Sequence, residues 1–152
     1  MLDYKRKAFT MIELVFVIVV LGILAAVAIP KFAATRDDAQ IAKGRSDVAA
    51  IRAAIVSERQ GRLLQGQSSY INKLHGTDVN KLFENNGTVA NGLLQYGIVA
   101  QADTNGHWQP ATSTSSLTYV YRVMNADNTF TYTPADGKFM CTSGTYCPDL
   151  TN

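Results

Sequence analysis

The sequence predicts an α+β protein in which one long N-terminal helix, half membrane-spanning and half amphipathic, packs on a small antiparallel β-sheet. Three observations carry that prediction. An unbroken apolar run occupies Phe9 to Ile29. The stretch from Lys31 to Leu64 is alanine-rich, with apolar residues on a helical period. The last third alternates aromatic or β-branched residues with polar ones, separated by turn formers. The 152 residues thus divide into a basic leader at 1–8, a transmembrane helix at 9–30 and a head at 31–152. Within the head, the expected order is an amphipathic helix at 31–64, a loop at 65–91 and an antiparallel sheet at 92–152.

About 20 apolar residues rising roughly 1.5 Å each match a hydrocarbon core of about 30 Å. Lys5, Arg6 and Lys7 precede the run, which keeps the N-terminus cytoplasmic and sends the head outward. Glu13 breaks the chemistry of the run. A carboxylate in lipid costs roughly 2.5–3.5 kcal/mol on insertion scales, so an acid kept there calls for a positive partner. Gly22 and Pro30 punctuate the helix. Proline removes one intrahelical hydrogen bond and crowds the carbonyl of Ala26, so a kink or weak point is expected over Ala26 to Pro30.

Beyond Pro30 the polarity changes while helix signals persist. Ile41, Val48 and Ile55 recur every seven residues, with Gly44 and Ile51 between them, and charged residues fill much of the remainder. This is a narrow apolar stripe on an amphipathic helix. Gln65 to Asn91 reads as a loop broken by Gly66, Gly76 and Asn85-Asn86-Gly87, with a turn of helix expected over Val79 to Phe83. Leu93 to Gln101, Leu117 to Met124, Thr129 to Thr133 and Lys138 to Cys141 read as strands. Asn125-Ala126-Asp127-Asn128 is the expected hairpin turn, and Thr112 to Ser116 a polar loop of low complexity.

Formal charge is +2, and loss of residues 1–8 leaves 11 of the 14 bases and 11 of the 12 acids. Such a balance gives no general drive toward nucleic acid. Lys31 to Arg62 carries seven bases against four acids, and the rest of the head four against six. The plainer reading of these charges is a solvated helix face; the alternative is weak attraction between the basic stem of one copy and the acidic head of another. Cys141 and Cys147 are expected to pair outside the inner membrane, closing a short loop worth about 2 kcal/mol in the chain-entropy model. With His75 and His107 distant in sequence, they form no zinc set. Both histidines are read as solvent-facing loop residues. No nucleophile constellation, phosphate loop or metalloprotease helix appears, and the chain is read as a non-enzyme with no catalytic residues, metal or cofactor. Tyr119, Tyr121, Phe130 and Tyr132 are assigned to the sheet core in preference to base stacking.

Lys5-Arg6-Lys7, small Ala8, then Phe9-Thr10-Met11-Ile12-Glu13 and an unbroken apolar run to Pro30 resemble the prepilin signal of type IV pilins and type II secretion pseudopilins. Ala8 stands where the family usually has glycine. The resemblance implies cleavage between Ala8 and Phe9 by a prepilin peptidase and N-methylation of Phe9. It implies that Glu13 pairs with the terminal amine of a neighbouring subunit during filament assembly, and that Gly22 to Pro30 loses helical form inside filaments. The implied partners are copies of itself, other pilins or pseudopilins, and an inner-membrane assembly platform. Nucleic acid enters only for a DNA-uptake system. The implied location is the inner membrane, with a periplasmic head and a periplasmic or surface filament. Calcium-bearing pseudopilins add one further implication, a cation held by loops such as Asp103-Thr104-Asn105-Gly106, Asp127-Asn128 and Asp136-Gly137; these are also ordinary turn formers. Plainer readings remain for the same stretch. It is a secretory signal peptide ending at Ala26-Val27-Ala28, or the anchor of a periplasmic binding module that does not polymerise.

Overall fold

A computed structural model of the chain describes residues 9–84 and 93–152, with the backbone alone at 30 and 32–34. The leader and the Asn85-Asn86-Gly87 breaker lie outside the described residues. The elements are α1 (Met11–Leu64), β1 (Lys81–Leu82), β2 (Ile98–Val99), β3 (His107–Trp108), β4 (Thr118–Val123), β5 (Ala126–Thr133), β6 (Lys138–Ser143) and α2 (Cys147–Thr151). The chain forms two compact units, Met1–Arg36 and Asp37–Asn152. The architecture is the expected α+β class, pilin-like in its apolar N-terminal helix followed by antiparallel sheet.

In the first unit, every residue from Phe9 to Val27 is exposed, apolar side chains included. Helix α1 runs unbroken through Gly22 and Pro30, so the expected weak point does not interrupt it in the isolated chain.

In the second unit, the stripe on α1 meets the sheet. Val48, Ile51 and Ile55 are buried, and Ile41 packs partly against the same core. Gly44 permits the close approach: a methyl group there would overlap the Tyr121 ring and the Leu150 side chain. The main sheet has the order β3-β4-β5-β6, antiparallel throughout. Its alternation turns Tyr119, Tyr121, Val123, Phe130, Tyr132 and Phe139 inward. They surround Trp108, whose ring centroid lies 5.1 Å from that of Tyr121, tilted by 59°, and 5.4 Å from that of Phe130, edge-on as aromatic pairs prefer. The Trp108 indole N–H donates to Asp47 on α1 at 3.0 Å, so its one polar atom is satisfied.

Several local expectations are corrected. The β4–β5 turn is the two residues Met124 and Asn125, both with positive φ (48° and 61°), because Val123 pairs with Ala126. That is the backbone a two-residue hairpin demands. Asn125 tolerates it, and Asn105 fixes it by donating to the Asn125 side chain at 2.9 Å while accepting from its N–H at 2.8 Å. Val79 to Phe83 is not a helical turn; Lys81–Leu82 pairs with Ile98–Val99 as a second, two-stranded sheet. Those two residues are all the strand that Leu93 to Gln101 provides. Short apolar runs do not declare their period, and pairing decides them. Strand β3 and helix α2 were not anticipated, and β6 extends past Cys141 to Ser143.

The β6 edge is closed in two ways. Tyr132 donates its backbone N–H toward Leu117, on the β4 side. Its partner Phe139 therefore turns its own carbonyl to the open edge, as alternation in an antiparallel ladder requires. Arg52 of α1 donates to that carbonyl at 3.1 Å. The Cys141–Cys147 disulfide, Cα to Cα 5.5 Å, ties α2 to the other half of the strand. Leu150 of α2 is fully buried, and Arg45 donates twice to the Asp149 carbonyl, at 3.0 and 2.7 Å.

Candidate assembly site

The candidate site is the start of α1. Glu13 lies in the first helical turn, where the unpaired backbone N–H groups favour negative charge. Its Oε2 accepts from the Thr10 N–H at 3.2 Å and from the Thr10 hydroxyl at 3.1 Å. The Thr10 hydroxyl oxygen in turn accepts from the Glu13 N–H at 3.3 Å. This is a capping box. The Thr-x-x-Glu spacing that signals it stands in the sequence, yet the expectations above assigned Thr10 no part.

Phe9 precedes this box and Ile12 lies within it, exposed by 83% and 77%. The 19 residues from Met11 to Ile29 form the one helix among the described residues long and apolar enough to cross a membrane. Their length of roughly 29 Å equals one hydrocarbon core. Gly22 has no neighbouring atom within 4 Å of where a methyl group would stand, so its small size answers to nothing inside the isolated chain. Ala8 and the side chain of Pro30 lie outside the described residues.

The head shows what the other candidates do. His75 is no solvent-facing loop residue; it is fully buried, with Nδ1 2.9 Å from the Tyr119 hydroxyl and Nε2 3.1 Å from the Ser113 carbonyl oxygen. Burial holds it below the usual histidine range. His107 is half-buried in β3, and the Lys43 ammonium that donates to the Gly106 carbonyl at 2.7 Å lies 3.5 Å from its Nδ1. Burial and that cation hold His107 low as well. Asp47, beside Trp108, is pushed up by burial. Asp103 and Asp127, two of the turn acids weighed for calcium, both meet Nη1 of Arg122 at 3.2 Å. Among the described residues no three histidine, cysteine or acidic side chains cluster as metal ligands do. An open groove lies between Arg52 and Val56 of α1 and Gly137 to Met140.

These features make up a pilin-like α+β protein with a prepilin-type N-terminus: an apolar helix the length of a bilayer, opened by a basic leader, the Phe-Thr-Met-Ile-Glu sequence and one acid. Comparison with known proteins agrees. Residues 3–29 match the prokaryotic N-terminal methylation motif. Over 50 residues, 33% of the chain, it is 46% identical to the type IV narrow pilus major component PilA5 of Thermus thermophilus. Over 51 residues, 34% of the chain, it is 39% identical to the type II secretion system core protein G of Pseudomonas aeruginosa. The matched stretch spans 43% and 36% of those relatives, less than half of either. No solved structure matches the chain.

Proposed function

We propose that the protein is a structural subunit of a type IV pilus-like filament, not an enzyme, built from the inner membrane with its head on the periplasmic side. The observation that carries this reading is the placement of Glu13 in the first turn of a fully exposed apolar helix, inside a methylation motif. The leader holds the N-terminus in the cytoplasm. A prepilin peptidase cuts between Ala8 and Phe9, releasing the amine of Phe9, which is then methylated. Glu13 of one copy draws the amine of the next, neutralising a charge that is costly in lipid and fixing the axial register between copies. Apolar surface with no cover in the single chain is then shared between neighbouring helices. Gly22 lets those helices approach closely, and Pro30 lets the segment between them lose its helical form during packing. Partners are copies of the chain, related pilins, the peptidase and an assembly platform. Protein secretion, adhesion and motility, or DNA uptake are the tasks such filaments serve, and no metal or cofactor is required.

The test is Glu13→Ala in cells that carry the peptidase. Mass spectrometry is expected to find a normal N-methyl-Phe9 terminus, and shearing to recover no filaments. Normal filament yield from the variant defeats the pairing argument. A mature chain that keeps Met1, or one that starts near Ile29, supports the anchor or signal-peptide reading instead.

A further inference from the structure

We propose that the head carries its own structural cation: the Arg122 guanidinium clamps the loop at 102–106 to the β4–β5 hairpin in the place a bound calcium ion would take, and the junction is indifferent to divalent metal for that reason. Filament assembly plays no part in this, so it stands or falls apart from the reading above.

Three oxygen-rich turns stand in the sequence as candidates for a cation, and each is closed by donors of its own chain. Asp103 lies in the loop before β3 and Asp127 at the start of β5. Their side chains are exposed by 86% and 53%, yet Oδ1 of each reaches the same nitrogen, Nη1 of Arg122, at 3.2 Å. Asn105 is engaged on both sides of its amide by Asn125. Asn128 is fully buried, and its side-chain oxygen accepts from the Tyr146 N–H at 2.8 Å. Asp136 accepts from the Lys138 N–H at 3.1 Å with one oxygen and meets the Lys138 ammonium at 2.8 Å with the other. Calcium takes about six to eight oxygens converging on one point. Here the side-chain oxygens that would have to converge are held by N–H donors, and a positive charge already stands between the two acids that lie closest to sharing an ion. A divalent cation would meet that charge as repulsion. The turns do not fit calcium.

Arg122 is placed for the task. On β4 it faces His107 of β3 and Asp127 of β5. Its side chain is only 22% exposed, and its Nε is buried without a hydrogen-bond partner, so the two acids at Nη1 offset the burial of the charge. Its carbonyl accepts from the Gly106 N–H at 2.7 Å, so backbone and side chain of one residue hold the same loop. The loop needs holding. Asp103 has φ 52°, a left-handed conformation that is costly outside glycine, and its N–H is drawn to the Gln109 side-chain oxygen at 2.7 Å. Without a cation between them, the carboxylates of loop and hairpin would repel.

The plain alternative is a pair of surface ion pairs that contribute almost nothing. To separate the two, the full chain in detergent is melted with Trp108 fluorescence as the readout, once after chelation and once with about 5 mM calcium, above the roughly 0.1–1 mM range of weak extracellular sites. The unaltered chain is expected to melt at the same temperature in both. Arg122→Gln is expected to melt about 4 °C lower in chelator, and calcium, unlike sodium chloride at equal ionic strength, to recover most of the loss. Adding Asp103→Asn and Asp127→Asn to that variant should abolish the calcium response, and Arg122→Lys, which keeps the charge, should show none. A rise in the melting temperature of the unaltered chain with calcium overturns the proposal. So does an Arg122→Gln protein that melts normally in chelator, or one that melts low and ignores calcium. Should Arg122→Gln fail to fold, Asp103→Asn with Asp127→Asn in the otherwise unaltered chain decides: lower melting that calcium does not change upholds the clamp, and unchanged melting overturns it.

Discussion

His75 illustrates how much a single ring can tie together. The Ser113 carbonyl can only accept, so Nε2 carries the proton, and Nδ1 accepts from the Tyr119 hydroxyl. That hydroxyl itself accepts from the Leu74 N–H at 3.3 Å. The neutral ring thus joins the 70–76 segment to the loop before β4 and to β4 itself. Because burial lowers its pKa, the native state resists the second proton while the unfolded chain takes it near pH 6.5. Stability is therefore full above about pH 6.5 and falls as pH drops below it, toward the lower native value. His107 is held low too and adds a slope of the same sign. Asp47 runs the other way in a more acidic window, since its raised pKa favours the protonated native state as pH falls. A chemical-denaturation series from pH 7.5 to 5 is expected to show stability declining with acid. In His75→Gln the decline should be shallower, with a loss of about 1–3 kcal/mol already present at pH 7 from the broken buried hydrogen bonds. Equal slopes in the two proteins would show that His75 is not the titrating group.

At the scale of elements, the β6 edge of the sheet is not left open. Exposed strand edges template further pairing, and proteins usually cover or charge them. Here Arg52 occupies the outward carbonyl of Phe139, and α2 is bound across the rest by a disulfide. Arg52→Ala is expected to cost about 1.5–3 kcal/mol, the range for a hydrogen bond to a charged group. It should also raise the concentration-dependent association of the head, measured by denaturant melts and light scattering. An unchanged midpoint and a monomer at every concentration would count against the edge-guarding role.

The same elements show which parts of the fold were legible in advance. The apolar run, the stripe of Ile41, Val48, Ile51 and Ile55, and the alternation of β4 and β5 were legible because each is a local period written into consecutive residues. Strands β1, β2 and β3, two residues each, carry no period and exist through pairing with distant partners. The burial of His75 and the seating of Leu150 on Gly44 likewise depend on groups far along the chain. At the candidate assembly site, Glu13 was legible because an acid in an apolar run violates its surroundings. Thr10 was not, because a threonine at the head of a helix violates nothing.

At the scale of the whole molecule, the two units divide the labour. The buried core lies entirely within residues 37–152, while the apolar surface of residues 9–29 has no cover of its own. Removal of residues 1–36 is expected to leave a soluble, cooperatively unfolding monomer, whereas the full chain needs detergent. Thermal melts of the two should agree within about 4 °C, the shift that roughly 1 kcal/mol causes in a domain of this size. A fragment that aggregates or melts without cooperativity would show that the head depends on its anchor.

Bases of the stem fasten the head from within its own chain. Lys43, Arg45 and Arg52 donate to the backbone carbonyls of Gly106, Asp149 and Phe139, and Lys73 in the following loop to that of Thr114. A carbonyl oxygen does not take up a proton at any pH a cell meets, whereas a carboxylate partner would be lost in acid. These four fastenings therefore hold through acidification that would dissolve conventional ion pairs, a durability written into the choice of acceptor.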